Sequence, residues 1–85
     1  MKEYDRRSKA RLIAMISRSE MDFIDRVGKD ALFSTGKKLS RTDVITAIID
    51  AIAELPITGR DIRTRKELRA RIDKAIEERL QKGVN

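Results

Sequence analysis

The sequence contains no cysteine and no histidine. Without cysteine, the chain can form neither a disulfide framework nor a thiolate metal site. Without histidine, it lacks the commonest general base and the commonest metal ligand. Its serines fall at predicted helix starts and turns, and its carboxylates are spread over solvent-facing helix positions. We therefore expect no enzyme: no catalytic residues, no metal site and no cofactor.

Long hydrophobic runs are also missing. The longest run near the start, Leu12 to Ile16, is too short for the core of a signal peptide. No stretch approaches the length needed to span a membrane. We therefore expect a cytoplasmic protein with no membrane partner.

Basic residues exceed acidic ones by 20 to 14, which gives a net charge of +6. A strongly basic domain of 85 residues is a candidate for binding nucleic acid or an anionic surface, the alternative being a merely solvated basic surface. Residues 1–8 have no hydrophobic periodicity and are predicted to form a flexible basic arm. A chain this short forms one domain at most and buries little of its surface alone.

The most apolar segment runs from Ser40 to Leu55 and is predicted to be a helix. Ser40 and Asp43 form a capping-box pattern at its start, and Pro56 ends it. Most of its circumference is apolar, whereas a surface helix needs only one apolar stripe. This helix therefore needs cover from more than one side, and a second copy of the chain is the simplest source of that cover.

The segment Ala10 to Ile16 has the length and composition of a β-strand. Alternation would place one set of side chains on a core face: Ala10, Leu12, Ala14 and Ile16. The opposite face would carry the charged positions together with two apolar ones: Lys9, Arg11, Ile13 and Met15. No second strand-like run follows, so this strand is predicted to pair with its counterpart in a second subunit.

Two further helices are predicted. The first covers Ser17 to Thr35, where Ser17 and Glu20 form a capping box, Gly28 suggests a close approach by another helix, and Gly36 suits the left-handed position after the helix end. The second follows a linker at 57–63, runs from about Arg65 to Gln81 and stops near Gly83. Its basic start could serve phosphate binding or be simple solvated charge.

This order of elements resembles the ribbon-helix-helix family of DNA-binding proteins, the Arc/MetJ/CopG-like regulators. The resemblance covers Lys9 to Leu55 and is most specific over Leu39 to Ile52, where Ser-Arg-Thr-Asp precedes an aliphatic helix. It implies a mostly α fold with one short N-terminal strand, paired in an intersubunit antiparallel ribbon, and two core helices. Residues 9–55 would be the DNA-binding and dimerisation domain, and residues 56–85 a linker plus an additional charged C-terminal helix.

The resemblance also implies site residues. The ribbon would read bases in the major groove through Arg11, Ile13 and Met15. The two apolar residues would either contact thymine methyl groups or contact little, leaving specificity to Arg11 and the basic arm. Phosphate would be bound by Arg7, Lys9, Lys37, Lys38, Ser40, Arg41 and Thr42. The dimer core would comprise Leu12, Ala14, Ile16, Ile45, Ile48, Ile49 and Ile52.

The expected function is a homodimeric, sequence-specific protein that binds double-stranded DNA and acts as a transcriptional repressor, with higher assembly on DNA left open. The alternative is an antitoxin, plasmid-partition or relaxosome adaptor. Such an adaptor would bind DNA through the same domain and a protein partner through residues 57–85. A helical dimer with a purely structural role would need neither the basic arm at residues 1–8 nor the basic loop that holds Lys37 and Lys38.

Overall fold

The computed structural model describes residues 9–84, and this part of the chain contains three α-helices. They are α1 (Arg18–Thr35), α2 (Arg41–Ala53) and α3 (Arg65–Val84). All three predicted helices are confirmed, although α3 continues through Gly83, where the sequence predicted its end. The basic arm predicted at residues 1–8 lies outside the described residues.

The strand predicted over Ala10 to Ile16 is wrong, and with it the two-stranded ribbon and the ribbon-helix-helix fold class. Residues 9–16 have no regular secondary structure, and no backbone hydrogen bond joins them to another described residue. A strand requires an extended neighbour with which to exchange hydrogen bonds. Residues 9–84 contain no such neighbour, so a run of β-forming residues does not become a strand.

The capping boxes at the starts of α1 and α2 are confirmed. Ser17 Oγ accepts a hydrogen bond from the Glu20 amide at 3.1 Å, and the Ser17 amide donates to Glu20 Oε1 at 2.7 Å. The second of these bonds is the main cause of a lowered pKa for Glu20. At α2, Ser40 and Asp43 make the equivalent pair of hydrogen bonds, at 3.0 and 3.1 Å.

Helices α1 and α2 are the closely packed pair among the described elements. Ile24 on α1 and Val44 on α2 are the buried apolar side chains of residues 9–83. The predicted close approach at Gly28 is present, but the approaching group is backbone: a Cβ there would lie 2.6 Å from the Leu39 carbonyl oxygen. Gly36 adopts the predicted left-handed conformation, with φ of 83°.

The linker and α3 are joined by local hydrogen bonds. Nη1 of Arg71 donates to the carbonyl oxygens of Thr58 at 2.8 Å and Arg60 at 2.7 Å. The start of α3 is capped by two hydrogen bonds that differ in register from a capping box. Thr64 Oγ1 accepts from the Glu67 amide at 3.1 Å, but Glu67 Oε1 accepts from the Arg63 amide at 2.7 Å. None of the described helices is both long and apolar enough to traverse a membrane.

Candidate anion-binding site at the start of α2

The first turn of α2 keeps two backbone amides available. The capping box occupies the amides of Ser40 and Asp43. The amides of Arg41 and Thr42 have no acceptor within the described part of the chain, as expected for the first helical positions. Such amides, together with the positive end of the helix dipole, favour a bound anion.

Basic side chains from three parts of the chain surround this helix start. A cavity of about 290 Å³ lies beside it, lined by Ile24, Asp25, Lys29, Lys38, Leu39, Ser40 and Arg41. Lys29 comes from α1, Lys38 from the connection between α1 and α2 (residues 36–40), and Arg41 from α2. The contact between Gly28 and Leu39 places the connection directly against α1, which is why these cations line the same cavity. We call Lys29, Lys38, Arg41 and the amides of Arg41 and Thr42 the α2-start site.

An ion pair holds one side of the α2-start site. Arg41 Nε donates to Asp25 Oδ1 at 2.9 Å, and Arg41 Nη2 donates to Asp25 Oδ2 at 3.0 Å. This hydrogen bonding is the main cause of a lowered pKa for Asp25, and the nearby Lys38 and Lys29 lower that pKa further. Asp25 raises the pKa of Arg41 in turn. The carboxylates of Asp25 and Asp43 therefore offset part of the positive charge.

The amines of Lys29 and Lys38 form no ion pair with another described residue. Both lysines are exposed, and Nη1 of Arg41 takes no part in the hydrogen bonds to Asp25. The site can therefore offer two flexible ammonium groups, part of one guanidinium and two fixed amides to an anion. That donor set matches the oxygens of a phosphate group.

Of the phosphate-binding residues expected from the sequence, four lie at this site: Lys38, Ser40, Arg41 and Thr42. Lys37 is exposed but does not line the cavity, and its amide donates to Thr35 Oγ1 at 3.2 Å. Lys9 is exposed in the irregular segment before α1 and does not line the cavity. Arg7 lies outside the described residues.

The expected base-reading residues Arg11, Ile13 and Met15 are all exposed. Their assignment to a common face depended on the alternation of a strand. Because residues 9–16 form no strand, the alternation that would group these three side chains is absent, and their role in base reading stays a prediction. Leu12, Ala14 and Ile16, predicted to lie on the opposite face of that strand, are also exposed in the single chain, and their place in a dimer core stays a prediction.

The other expected dimer-core residues form one face of α2, which we call the isoleucine face: Ile45, Ile48, Ile49 and Ile52. Their spacing of three and four residues places them on one side of the helix. Ile52 is half-buried and the other three are exposed. The adjacent Val44 is buried against α1, whereas the isoleucine face is only partly covered in the single chain.

Two residues of the site were not identified from the sequence, Lys29 and Asp25. Asp25 and Arg41 are 16 positions apart, and nothing in the local pattern around either residue indicates the pairing. Gly28 was the available signal. A buried glycine in mid-helix marks a close approach, so the adjacent Lys29 and Asp25 three residues earlier are candidates for the same junction.

Comparison with protein-family models, with curated proteins and with solved structures found no match to this chain. Among the described residues, no group of acidic side chains is arranged so that it could hold a metal ion.

Proposed function

We propose that the protein is a homodimer that binds double-stranded DNA by gripping backbone phosphates at the α2-start site, and that it represses transcription by occupying an operator. The observation that carries this proposal is that Lys29, Lys38 and Arg41 line one cavity beside the start of α2, where two backbone amides are open. Phosphate contacts of this type fix the position of a protein on a duplex. They do not by themselves read its sequence.

The charge of the whole chain favours a polymer of phosphates over a single small phosphate ligand. The net charge is +6, and the cavity is lined by exposed, flexible lysines rather than by an enclosed polar shell. A dimer would present two α2-start sites at a fixed separation. Such an arrangement suits DNA, whose phosphates recur regularly and attract basic proteins through release of counterions.

The dimer is supported by the amount of surface that the single chain leaves uncovered. The chain exposes 8193 Å² and has a mass of 9.8 kDa. A compact monomer of that mass exposes only about 5,200 Å². Ile45, Ile48 and Ile49 of the isoleucine face are 39 to 55% exposed and contribute to this excess, so the face needs a second apolar surface. A second copy supplies one without requiring another protein.

The state of α3 favours a DNA-binding regulator over an antitoxin-like adaptor. An antitoxin tail that folds on its partner would be disordered alone. Helix α3 instead has a capped start, and Arg71 ties it to the linker by two hydrogen bonds. We therefore propose α3 as a folded extension of the DNA-binding dimer.

Salt dependence of duplex binding tests the α2-start site. Replacing Lys29 and Lys38 with Ala removes two cations per chain and four per dimer. If all four contact phosphate, a plot of log K against log salt should become shallower by about 3 to 4 units. The measurement is fluorescence anisotropy of a labelled duplex, pre-selected from random sequences, across a salt series.

The matched control replaces Lys74 and Lys82 on α3 with Ala. It removes the same charge, so a purely long-range effect of net charge would change both slopes equally. We expect the α3 variant to keep nearly the wild-type slope. An equal change of slope in both variants, or no change in the Lys29/Lys38 variant, would contradict phosphate binding at the α2-start site. Absence of duplex binding by the wild-type dimer at low salt would contradict the function itself.

A further inference from the structure

Helix α1 carries another exposed surface, which belongs neither to the α2-start site nor to the isoleucine face. Phe23, Arg26, Asp30 and Phe33 are spaced by three, four and three residues. At 100° per residue, they fall within a strip about 80° wide along the helix. This strip, which we call the outer stripe, lies roughly opposite Ile24 and Gly28, the residues buried against α2.

Aromatic rings are unusually exposed on the outer stripe. The side chain of Phe33 is 82% exposed and that of Phe23 is 46% exposed. The Arg26 guanidinium lies 5.6 Å from the centroid of the Phe23 ring, a cation–π distance. Aromatic and arginine side chains are enriched in protein interfaces. Two of the three aromatic residues in the sequence therefore lie on a surface that the α1–α2 packing leaves open.

The charges on the outer stripe are unpaired within the described chain. Neither Arg26 nor Asp30 forms an ion pair with another described residue. The stripe carries one cation and one anion, so it is locally neutral on a chain of net charge +6. An electrically neutral aromatic surface is a better match for another protein than for a polyanion such as DNA.

The order of residues on the stripe is symmetric about Gly28. Phe23 and Phe33 lie five residues to either side of it, and Arg26 and Asp30 lie two residues to either side. If a second α1 runs antiparallel across a two-fold axis at this point, each Phe23 faces a Phe33. Each Arg26 then faces an Asp30, so the ion pair and the aromatic pair each form twice.

The spacing also suits helix packing. Intervals of three, four and three are those of successive a and d positions in a heptad, and antiparallel helices pair a with d. A contact that uses the same patch on both partners closes on itself as a two-fold interface.

We propose that the outer stripe is a second interface between copies of this chain, formed by antiparallel α1 helices centred on Gly28. Because the stripe and the isoleucine face are different surfaces, both can be occupied at once. Dimers formed through α2 would then join through α1 into tetramers and longer assemblies. One helix face buries less than a standard interface, so this association should be weak and concentration-dependent. It does not rest on DNA binding.

A charge-swap experiment without DNA tests this register. Arg26→Asp leaves two acids on the stripe, and Asp30→Arg leaves two bases, so each variant alone should repel itself. Mixed together, they face each other with opposite charge at both positions. We expect each single variant to raise the concentration needed for assembly by about tenfold, and the equimolar mixture to recover wild-type assembly. Sedimentation velocity over a concentration series measures both, and circular dichroism checks that the variants are folded.

The control uses the same helix with charges out of register. Asp22→Arg and Lys29→Asp change the net charge by the same amounts as the test variants. Position 22 would face Ser34, and position 29 would face Val27, so their mixture should gain nothing over the single variants. The proposal is also supported if Arg26→Asp and Asp30→Arg in one chain restore assembly.

Several outcomes would overturn the proposal. One is assembly by each single variant at the wild-type concentration. Another is a mixture of Arg26→Asp and Asp30→Arg that assembles no better than its components. A third is wild-type protein that stays dimeric at every concentration, which would assign the outer stripe to a different protein partner.

Discussion

The α1–α2 pair and α3 are held in place by different kinds of interaction. Helices α1 and α2 are joined by buried Ile24 and Val44, by backbone contact at Gly28, and by the Arg41–Asp25 ion pair. Helix α3 is tied mainly to its own linker, through Arg71 and carbonyls 11 and 13 residues away. The first unit is therefore tertiary structure that assembles a site, whereas the second is a helix with a local anchor.

The largest expected difference between the two units is the cost of placing a charge on an exposed apolar position. Ile49 on α2 is 55% exposed and Leu80 on α3 is 65% exposed in the single chain. In a monomer, replacing either with Asp would cost little. In the proposed dimer, Ile49→Asp places an unpaired charge in the subunit core, so stability should fall by about 3 kcal/mol or more. Leu80→Asp should cost no more than about 1 kcal/mol.

Thermal unfolding and sedimentation of the two variants measure this difference. The expected result is a dissociated, largely unfolded Ile49→Asp protein beside a folded Leu80→Asp dimer. A folded Ile49→Asp monomer with wild-type thermal stability would show that the isoleucine face is not the subunit interface.

Glycine replacement gives the next largest contrast. At Gly28, a Cβ would lie 2.6 Å from the Leu39 carbonyl oxygen, a backbone atom held by the adjacent cap. Gly28→Ala should therefore destabilise the protein by about 1–2 kcal/mol, even though alanine is the better helix former. At Gly83 in α3, the added Cβ meets nothing within 4 Å, so Gly83→Ala should stabilise by up to about 1 kcal/mol. Denaturant unfolding of both variants measures the two signs, and a stable Gly28→Ala protein would contradict the close α1–α2 contact.

The same division explains what could be predicted from the sequence. Helix starts depend on residues three positions apart, so the boxes at Ser17 and Ser40 were predicted correctly. The left-handed conformation of Gly36 could also be predicted locally, because this glycine directly follows the end of α1. The strand failed because a ladder is a property of two segments, and the aliphatic composition of Ala10 to Ile16 describes only one of them.

The α2-start site was predicted in part for the same reason. Its amides and Lys38 belong to the capped helix and the residues just before it, which the sequence displays directly. Lys29 and Asp25 join them only because α1 crosses the connection at Gly28. Sequence spacing gives no distance between elements, so the partner of Arg41 could be found only in the folded chain.

Asp25→Asn gives the smallest effect in this comparison and the one with a defined pH dependence. Because hydrogen bonding from Arg41 lowers the pKa of Asp25 in the folded chain, the carboxylate ionises at lower pH when folded than when unfolded. The ion pair's contribution is therefore fully present above the unfolded pKa of about 3.9, and it is lost as the pH falls through the lowered folded pKa. At pH 7 and low salt, Asp25→Asn should lower the Tm modestly, because the pair is partly exposed. The difference in Tm from wild type should shrink as the pH falls below about 4.

Asp73→Asn is the matched control, since it removes the same charge from a local pair with Arg69 on α3. It should lower the Tm less than Asp25→Asn does. A Tm difference for Asp25→Asn that persists unchanged at low pH would mean that the substitution acts through packing and not through the ion pair with Arg41.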